Sequence, residues 1–438
     1  MPVNGHLAPA EVSHVVTDSE SKVLIGHEGM AGPAVAAADA AGLATERRIS
    51  VGTVPGFRPL EDLLGHRPDP PVPRVVGSRM PYTSGTTGMP KGVRRPLGDG
   101  DPAEILGAIG RITARGFGNE PGAGVCLTCG PLHHAGPSMM SSTTLHVGHS
   151  QVLMDKWTPE GCLEMIERYR VTCAQMVPTM FYRLLALPEE TRARYDTSSL
   201  VSIVHTGAPC PVEVKRRMMD WWGPVIFETY GGTEGAATIA KPHRWLAKPG
   251  TVGKPIHGVD LTILDDDGNE LGTGEVGDVY IRSRRGTRAE YFKDPERTRS
   301  IFRGDYFTLG DMGYVDEDGF LFLIDRKKDM IISGGVNIFP AEIEAAMLSH
   351  PAVRDVAVIG IPDPEWGEQV KAIVATMPDV DEDATLAREL IAFCRDRLAH
   401  YKCPRTVDFR DDLPRADNGK LYKRRIRDEY WHDAAQKI

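Results

Sequence analysis

The chain has 438 residues, 41% of them hydrophobic and 25% charged, enough apolar material for a substantial core in more than one domain. Its 60 acidic residues outnumber its 51 basic ones, for a formal charge of −9, so neither nucleic acid nor an anionic membrane is the expected main partner. No transmembrane segment is expected, the first residues lack a basic-then-apolar leader pattern, and seven scattered cysteines read as reduced thiols, so the expected compartment is the cytoplasm.

In chain order, a helix is expected from about Pro9 and a strand near Lys22–Gly26. The stretch PDPPVPRV, 68–75, reads as an exposed, extended linker. It leads into YTSGTTGMPKGV, Tyr82–Val93, which sets Ser84, Thr86 and Thr87 among Gly85 and Gly88 and then adds Pro90 and Lys91. Glycines let several backbone N–H groups converge on one anion, and hydroxyls and an ammonium add donors, which is what polyphosphate binding needs. The plain alternative is a polar surface turn. Pro90 and Gly92 exclude a Walker A loop, which requires Gly before its Lys and Ser or Thr after it. Further on, GVCLTCGPLHH contains Cys126 and Cys129 as a CxxC without a second ligand pair, and reads as a buried strand. The adjacent His133 and His134 lack a metal-binding spacing.

From 101 to about 255, helical patterns such as TPEGCLEMIERYR and TMFYRLLALP alternate with short β-branched runs such as VTCAQMVP and LVSIVHTG. That alternation implies a parallel sheet covered by helices. Near 250 the pattern changes to strands broken by Asp/Gly turns, VDLTILDDDGNELGTGEVGDVYIRS and YVDEDGFLFLIDR, expected to form an antiparallel, barrel-like subdomain. Its GTGEVG, Gly272–Gly277, is formally GxGxxG but opens no helix and reads as a turn. Past Asp325 a compact α+β tail is expected: a helix from Pro340, a strand over VRDVAVIGI and a helix over DATLARELIAFCRDRLAHY. The fold class is α/β, with a large N-terminal domain over 1–325 and a small α+β domain over 326–438.

Three more clusters carry chemistry. In FETYGGTEG, Phe227–Gly235, Tyr230 offers an aromatic face, Thr233 a hydroxyl and Glu234 a hard oxygen suited to magnesium. In TLGDMGYVDEDGFLFLIDRKKDMIISGGVNIFPAEIE, 308–344, Asp311 lies among glycines, Arg326 is a fixed cation, and Ser333, Gly334 and Gly335 permit close backbone approach. LPRADNGKLYKRR places Lys420 after a turn. Singly each is weak, since charged turns and lone lysines are usually solvated. Together, in this order and spacing, they resemble the adenylate-forming superfamily of acyl-CoA synthetases, adenylation domains and luciferases, from roughly Pro2 to the C-terminus. ISGGVNIFPAEIE and PLHHAGP look most like acyl- or aryl-CoA ligases.

The resemblance implies an AMP-forming acid:CoA ligase using ATP, Mg²⁺ and CoA on a small carboxylic acid. Thr83, Ser84, Gly85, Thr86, Thr87, Gly88 and Lys91 would bind the β- and γ-phosphates, with Thr86 near the metal. Gly207, Ala208 and Pro209 would line the adenine, with Tyr230 stacked on it and Gly231 beside it. Thr233 would touch the α-phosphate, Glu234 would hold Mg²⁺, and Asp311 with Arg326 would take the ribose. Lys328 matches the hinge about which the small domain swings, and Lys420 the lysine bridging the substrate carboxylate and α-phosphate. Ser333, Gly334 and Gly335 would line the CoA passage. Trp366 and Tyr401 match adenine-stacking positions for CoA, and are equally open to a reading as partly buried core aromatics. His134 matches a position at the acyl pocket, for packing and gating rather than acid–base work, since a carboxylate nucleophile is already ionised at neutral pH.

Relative to the family, the glycine loop begins unusually near the N-terminus, so the opening strands and helices look absent. Such a gap would expose apolar surface and favour self-association, with a homodimer as the expected form. Acyl-pocket positions are expected at Met176, Val177, Gly207, Gly232, Gly235 and 134–140, where Ala135, Gly136 and Gly232 leave room for a bulky fatty, steroid-like or aromatic acid. No ionic residue is placed to pair with an amino group, which argues against amino-acid substrates. Two alternatives stay open: transfer of the acyl group to an amine or a carrier-protein thiol, and a catalytically silent nucleotide- or acyl-binding protein.

Overall fold

The structure is a computed structural model that describes residues 1–65, 74–83, 89–98, 100–284, 286, 288–415 and 421–435, the last four of these as backbone. Most of the expected linker lies outside the described residues; its last two, Arg74 and Val75, are exposed. The N-terminal helix runs Pro9–Asp18, and the first strand, Leu24–His27, starts two residues later than expected and pairs in parallel with Arg48–Val51.

A seven-stranded sheet forms the central layer. Five strands, Ile226–Gly231, Ser202–His205, Cys173–Met176, Val125–Thr128 and Ser150–Leu153, are parallel in that spatial order. The helices Pro159–Tyr169, Pro178–Leu185 and Val212–Trp222 bury Leu163, Ile166, Phe181, Leu184 and Met218 against Leu127 and Ile203 of the strands. Thr158 starts the first of these by accepting the Gly161 N–H on its hydroxyl at 3.1 Å. Cys126 lies on a buried strand as expected, and all seven cysteines are free thiols. The purely parallel reading is corrected at one end. Ala236–Ala240 runs antiparallel to Ile226–Gly231, because only a tight turn separates them and a parallel crossover needs a dozen or more residues.

The antiparallel part is a curled sheet of Val259–Leu264, Gly277–Ser283, Tyr306–Val315, Phe302–Arg303 and Leu321–Arg326. Gly272–Gly277 is a turn entering its second strand. Gly253 connects this sheet to the central one, bridging Leu321 at φ +100°; a Cβ there would lie 2.1 Å from the Ile239 carbonyl carbon. A third sheet of short strands joins Tyr82–Thr83 to Lys91–Arg94 and Lys91–Arg94 to Glu290–Tyr291. Beyond Arg326, the strands Ile331–Ser333, Val336–Ile338, Val353–Asp363, Gly367–Thr376 and Thr406–Phe409 form another sheet, with its own core around Ile343, Val358 and Leu390. The helix expected over 383–401 ends at Arg395, where Leu398 turns in against the core that holds Cys394 and Cys403.

Inside the central layer sits a buried charge cluster. Lys215 Nζ meets Glu228 Oε2 at 2.7 Å, His205 Nε2 approaches the same oxygen at 3.3 Å, and the ammonium lies 4.5 Å from the Trp245 ring centre. Burial would raise the Glu228 carboxyl, but His205 and Lys215 outweigh it and hold the group at about 2. Burial lowers both Lys215 and His205, with Glu228 opposing that shift.

Two outcomes follow. A Gly253→Ala variant should lose about 3 kcal/mol in urea unfolding, from backbone strain and a carbonyl clash; an unchanged midpoint would contradict the close crossing. Lys215→Met should cost about 3–5 kcal/mol at neutral pH by stranding the Glu228 charge, and Lys215→Met with Glu228→Gln should recover most of it. Because the Glu228 pKa is depressed, its contribution is complete above the ordinary carboxylate value of 4.5 and is lost as pH falls toward about 2, so the single variant's deficit should shrink in that window.

Candidate active site

One cavity of about 3440 Å³ opens between the central sheet, the curled sheet and the C-terminal part, and most of the expected nucleotide residues line it. Its geometry begins at Ile226–Gly231. The chain bulges between Tyr230 and Gly231, and a Cβ on Gly231 would lie 2.8 Å from Ala236 Cα and the Gly235 carbonyl oxygen. Only glycine allows that approach. Reciprocal backbone bonds between Gly232 and Gly235, at 2.8 and 3.3 Å, then close a turn with Thr233 and Glu234 at its tip.

Tyr230 is buried, and its hydroxyl donates to Asp311 Oδ2 at 2.8 Å. Asp311 is the cross-strand partner of Arg326, whose Nε lies 3.3 Å from Asp311 Oδ1. Burial raises the Tyr230 phenol well above its ordinary value, with Asp311 adding to the shift, so it stays a donor. Gly207, Ala208 and Pro209 follow the strand Ser202–His205 and line the same cavity, as do Thr83, His134 and Lys328. Burial pulls the Lys328 ammonium below its usual value, with Arg326 and Arg424 contributing. Lys91 sits beside the cavity and pairs with Asp294 at 3.5 Å. Ser84, Gly85, Thr86, Thr87, Gly88 and Lys420 lie outside the described residues; their neighbours Thr83 and Leu421 to Arg424 line the cavity.

The residues expected to meet CoA do not line this cavity. The Gly334 N–H donates to the Trp366 carbonyl at 2.8 Å, and Ser333 pairs with Gly367. Trp366 is 42% exposed and Tyr401 58% exposed, which excludes the reading of these two as core aromatics. Among the expected acyl-pocket positions, His134, Ala135, Gly136, Val177 and Gly232 face the cavity, whereas Met176 is fully buried in the core and Gly235 packs against Phe307.

Several residues lay beyond sequence reasoning. Tyr291 donates to Glu234 Oε1 at 2.5 Å, and Arg95 donates to the Thr233 carbonyl at 2.5 Å. Neither belongs to a chemistry-bearing motif, and only the pairing of Val93 with Tyr291 brings them to the turn. Glu228 also faces the cavity, an ionic residue where none was expected, but Lys215 matches its charge. Among the described residues no cluster of three His, Cys, Asp or Glu forms a metal site. No described helix is long and apolar enough to cross a membrane.

Residues 1–292 match the family model described as AMP-binding enzyme, and 342–420 match the AMP-binding enzyme C-terminal domain. The chain is 35% identical over 351 residues to a long-chain-fatty-acid–CoA ligase of Bacillus subtilis, covering 80% of this chain and 61% of that protein. It is 34% identical over 432 residues to a feruloyl-CoA synthase of an Amycolatopsis species, covering 98% and 83%. The solved structure of the amide bond synthetase McbA from Marinactinospora thermotolerans superposes with a TM-score of 0.81 at 28% identity, covering 97% of this chain and 83% of that one. With both family models matched in order around one cavity, the chain belongs to the adenylate-forming AMP-binding enzymes, in their acyl- and aryl-CoA synthetase branch.

Proposed function

We propose that the chain is an ATP-dependent acid–thiol ligase that joins a carboxylic acid to the α-phosphate of ATP and then passes the acyl group to CoA. One observation carries this reading: Tyr230, Asp311 and Arg326, the Thr233–Glu234 turn, and the tail residues Leu421 to Arg424 all face one cavity. In the first step a carboxylate oxygen bonds to the α-phosphorus and pyrophosphate leaves. In the second, the thiol sulfur bonds to the acyl carbon, AMP leaves and the thiol proton is released. Two anions meet in the first step, so cations are needed where charge gathers.

Lys420 is assigned to bridge carboxylate and α-phosphate by its match to the family motif. Gly207, Ala208, Pro209 and Tyr230 are assigned to the adenine, Asp311 and Arg326 to the ribose, and Thr83 to Gly88 with Lys91 to the outer phosphates. Glu234 fits magnesium, assisted by Thr86: Tyr291 takes one carboxylate oxygen, and the other accepts no hydrogen bond from the described residues. Bound there, magnesium would offset phosphate charge.

The division expected after Asp325 finds its best support at Lys328, past Arg326 of the curled sheet. Lys327 is tied back to the curled sheet by Asp266 and Asp278, at 2.6 and 2.8 Å, whereas Lys328 makes no such bond among the described residues. Rotation about Lys328 would turn the Gly334–Trp366 side toward the acyl-adenylate after the first step. Small wall residues Ala135, Gly136 and Gly232 support a bulky fatty, steroid-like or aromatic acid. Free cysteines support a reducing, cytoplasmic setting. Similarity to an amide bond synthetase favours one second reading, an amine as acyl acceptor.

A panel of carboxylic acids scored for pyrophosphate release, with and without CoA, tests this function. Release that depends on one acid class, with thioester formed only when CoA is present, is expected; hydroxamate trapping and amide formation indifferent to CoA would favour the second reading. Lys420→Ala should lower pyrophosphate release on the order of 10²-fold or more with ATP binding largely kept. Unchanged release in that variant would refute the assignment.

A further inference from the structure

We propose that Tyr291 and Arg95 are positioning residues for Glu234, so that the strand leaving the glycine-rich loop and the strand paired with it also set the carboxylate that receives the metal. The inference rests on the reading above, in which Glu234 faces a magnesium–nucleotide complex. Lys91–Arg94 pairs with Glu290–Tyr291, placing Tyr291 opposite Val93 and Glu290 opposite Arg94. Around that pairing, the Phe292 N–H donates to the Gly92 carbonyl at 2.8 Å and Arg94 Nε to Glu290 at 2.8 Å. The two donors therefore stand on one short, braced unit.

From this unit they reach consecutive residues of the turn. The Arg95 guanidinium grips the Thr233 carbonyl, fixing the peptide that leads into Glu234, while the Tyr291 hydroxyl grips Glu234 Oε1. Tyr291 is buried, and its phenol donates to Glu234 Oε1. A glutamate side chain has three rotatable bonds, and holding one oxygen by a neutral donor fixes the carboxylate without placing a cation on either oxygen. A lysine or arginine on that oxygen would instead compete with a metal ion. Gly232 leaves the free side open: a Cβ there would sit 2.7 Å from Glu234 Oε2.

The test uses the full chain and Mn²⁺ as a paramagnetic probe, titrated with ATP present and followed by electron paramagnetic resonance. Tyr291→Phe should weaken Mn²⁺ binding about tenfold, the loss of a hydrogen bond to a charged group, with ATP binding in EDTA within twofold of wild type. Arg95→Lys, which loses the planar fork, should weaken Mn²⁺ binding in the same direction, again sparing metal-free ATP binding. Mn²⁺ affinity within twofold of wild type in Tyr291→Phe would overturn the proposal. So would an equal loss of metal-free ATP binding, which would mark the residue as a general support of the fold. A wild-type protein that binds ATP but shows no ATP-dependent Mn²⁺ site would instead sink the metal reading of Glu234, and this proposal with it.

Discussion

The hydrogen bond from Tyr230 to Asp311 joins the central sheet to the curled sheet, beside the apolar core that Tyr230 and Ala237 share with Ile263, Val279 and Phe307. Tyr230 comes from the last parallel strand of the central layer, and Asp311 from the longest strand of the curled sheet. Both are buried, and leaving the phenol unmatched would cost about 1–3 kcal/mol. The contact fixes how the aromatic face stands relative to the Asp311–Arg326 pair. The turn carrying Thr233 and Glu234 starts at Gly232, two residues after Tyr230.

Two carboxylates in this short stretch have opposite surroundings. Glu228 is neutralised from behind by Lys215 and His205, so its charge serves the packing of helix Val212–Trp222 against two strands. Glu234, six residues later, is held by an uncharged phenol. The difference follows from position. The strand is sealed on one side by a helix that can supply a lysine, while the turn projects into the cavity, where the nearest braced element is the short sheet. The same local sequence thus builds a fixed internal ion pair and a carboxylate with an oxygen to spare.

The order of motifs was legible because glycine-rich turns and charged residues at a fixed spacing leave marks that periodicity does not blur, as in YGGTE and the Asp311–Arg326 spacing. Helices with clear apolar stripes, such as Pro159–Tyr169, were legible for the same reason. Tyr291, Arg95 and Lys215 were not, because each acts through a partner distant in sequence, and nothing in RRPL, AEYF or VEVK marks a residue as one that will meet the Phe227–Gly235 stretch. The reversal of Ala236–Ala240 escaped because short β-branched runs look alike in either direction, and only the tightness of the preceding turn decides. Trp366 and Tyr401 were left between two readings, since an aromatic side chain carries no sign of its exposure.

Ligation through an adenylate makes a specific demand on atoms: one carboxylate oxygen must leave with the phosphate. The direct measurement is turnover of an acid labelled with ¹⁸O in both carboxylate oxygens, followed by mass spectrometry of the nucleotide product. The account predicts AMP carrying one ¹⁸O and a thioester keeping the other. Label in inorganic phosphate alongside ADP, or AMP without label, would contradict it.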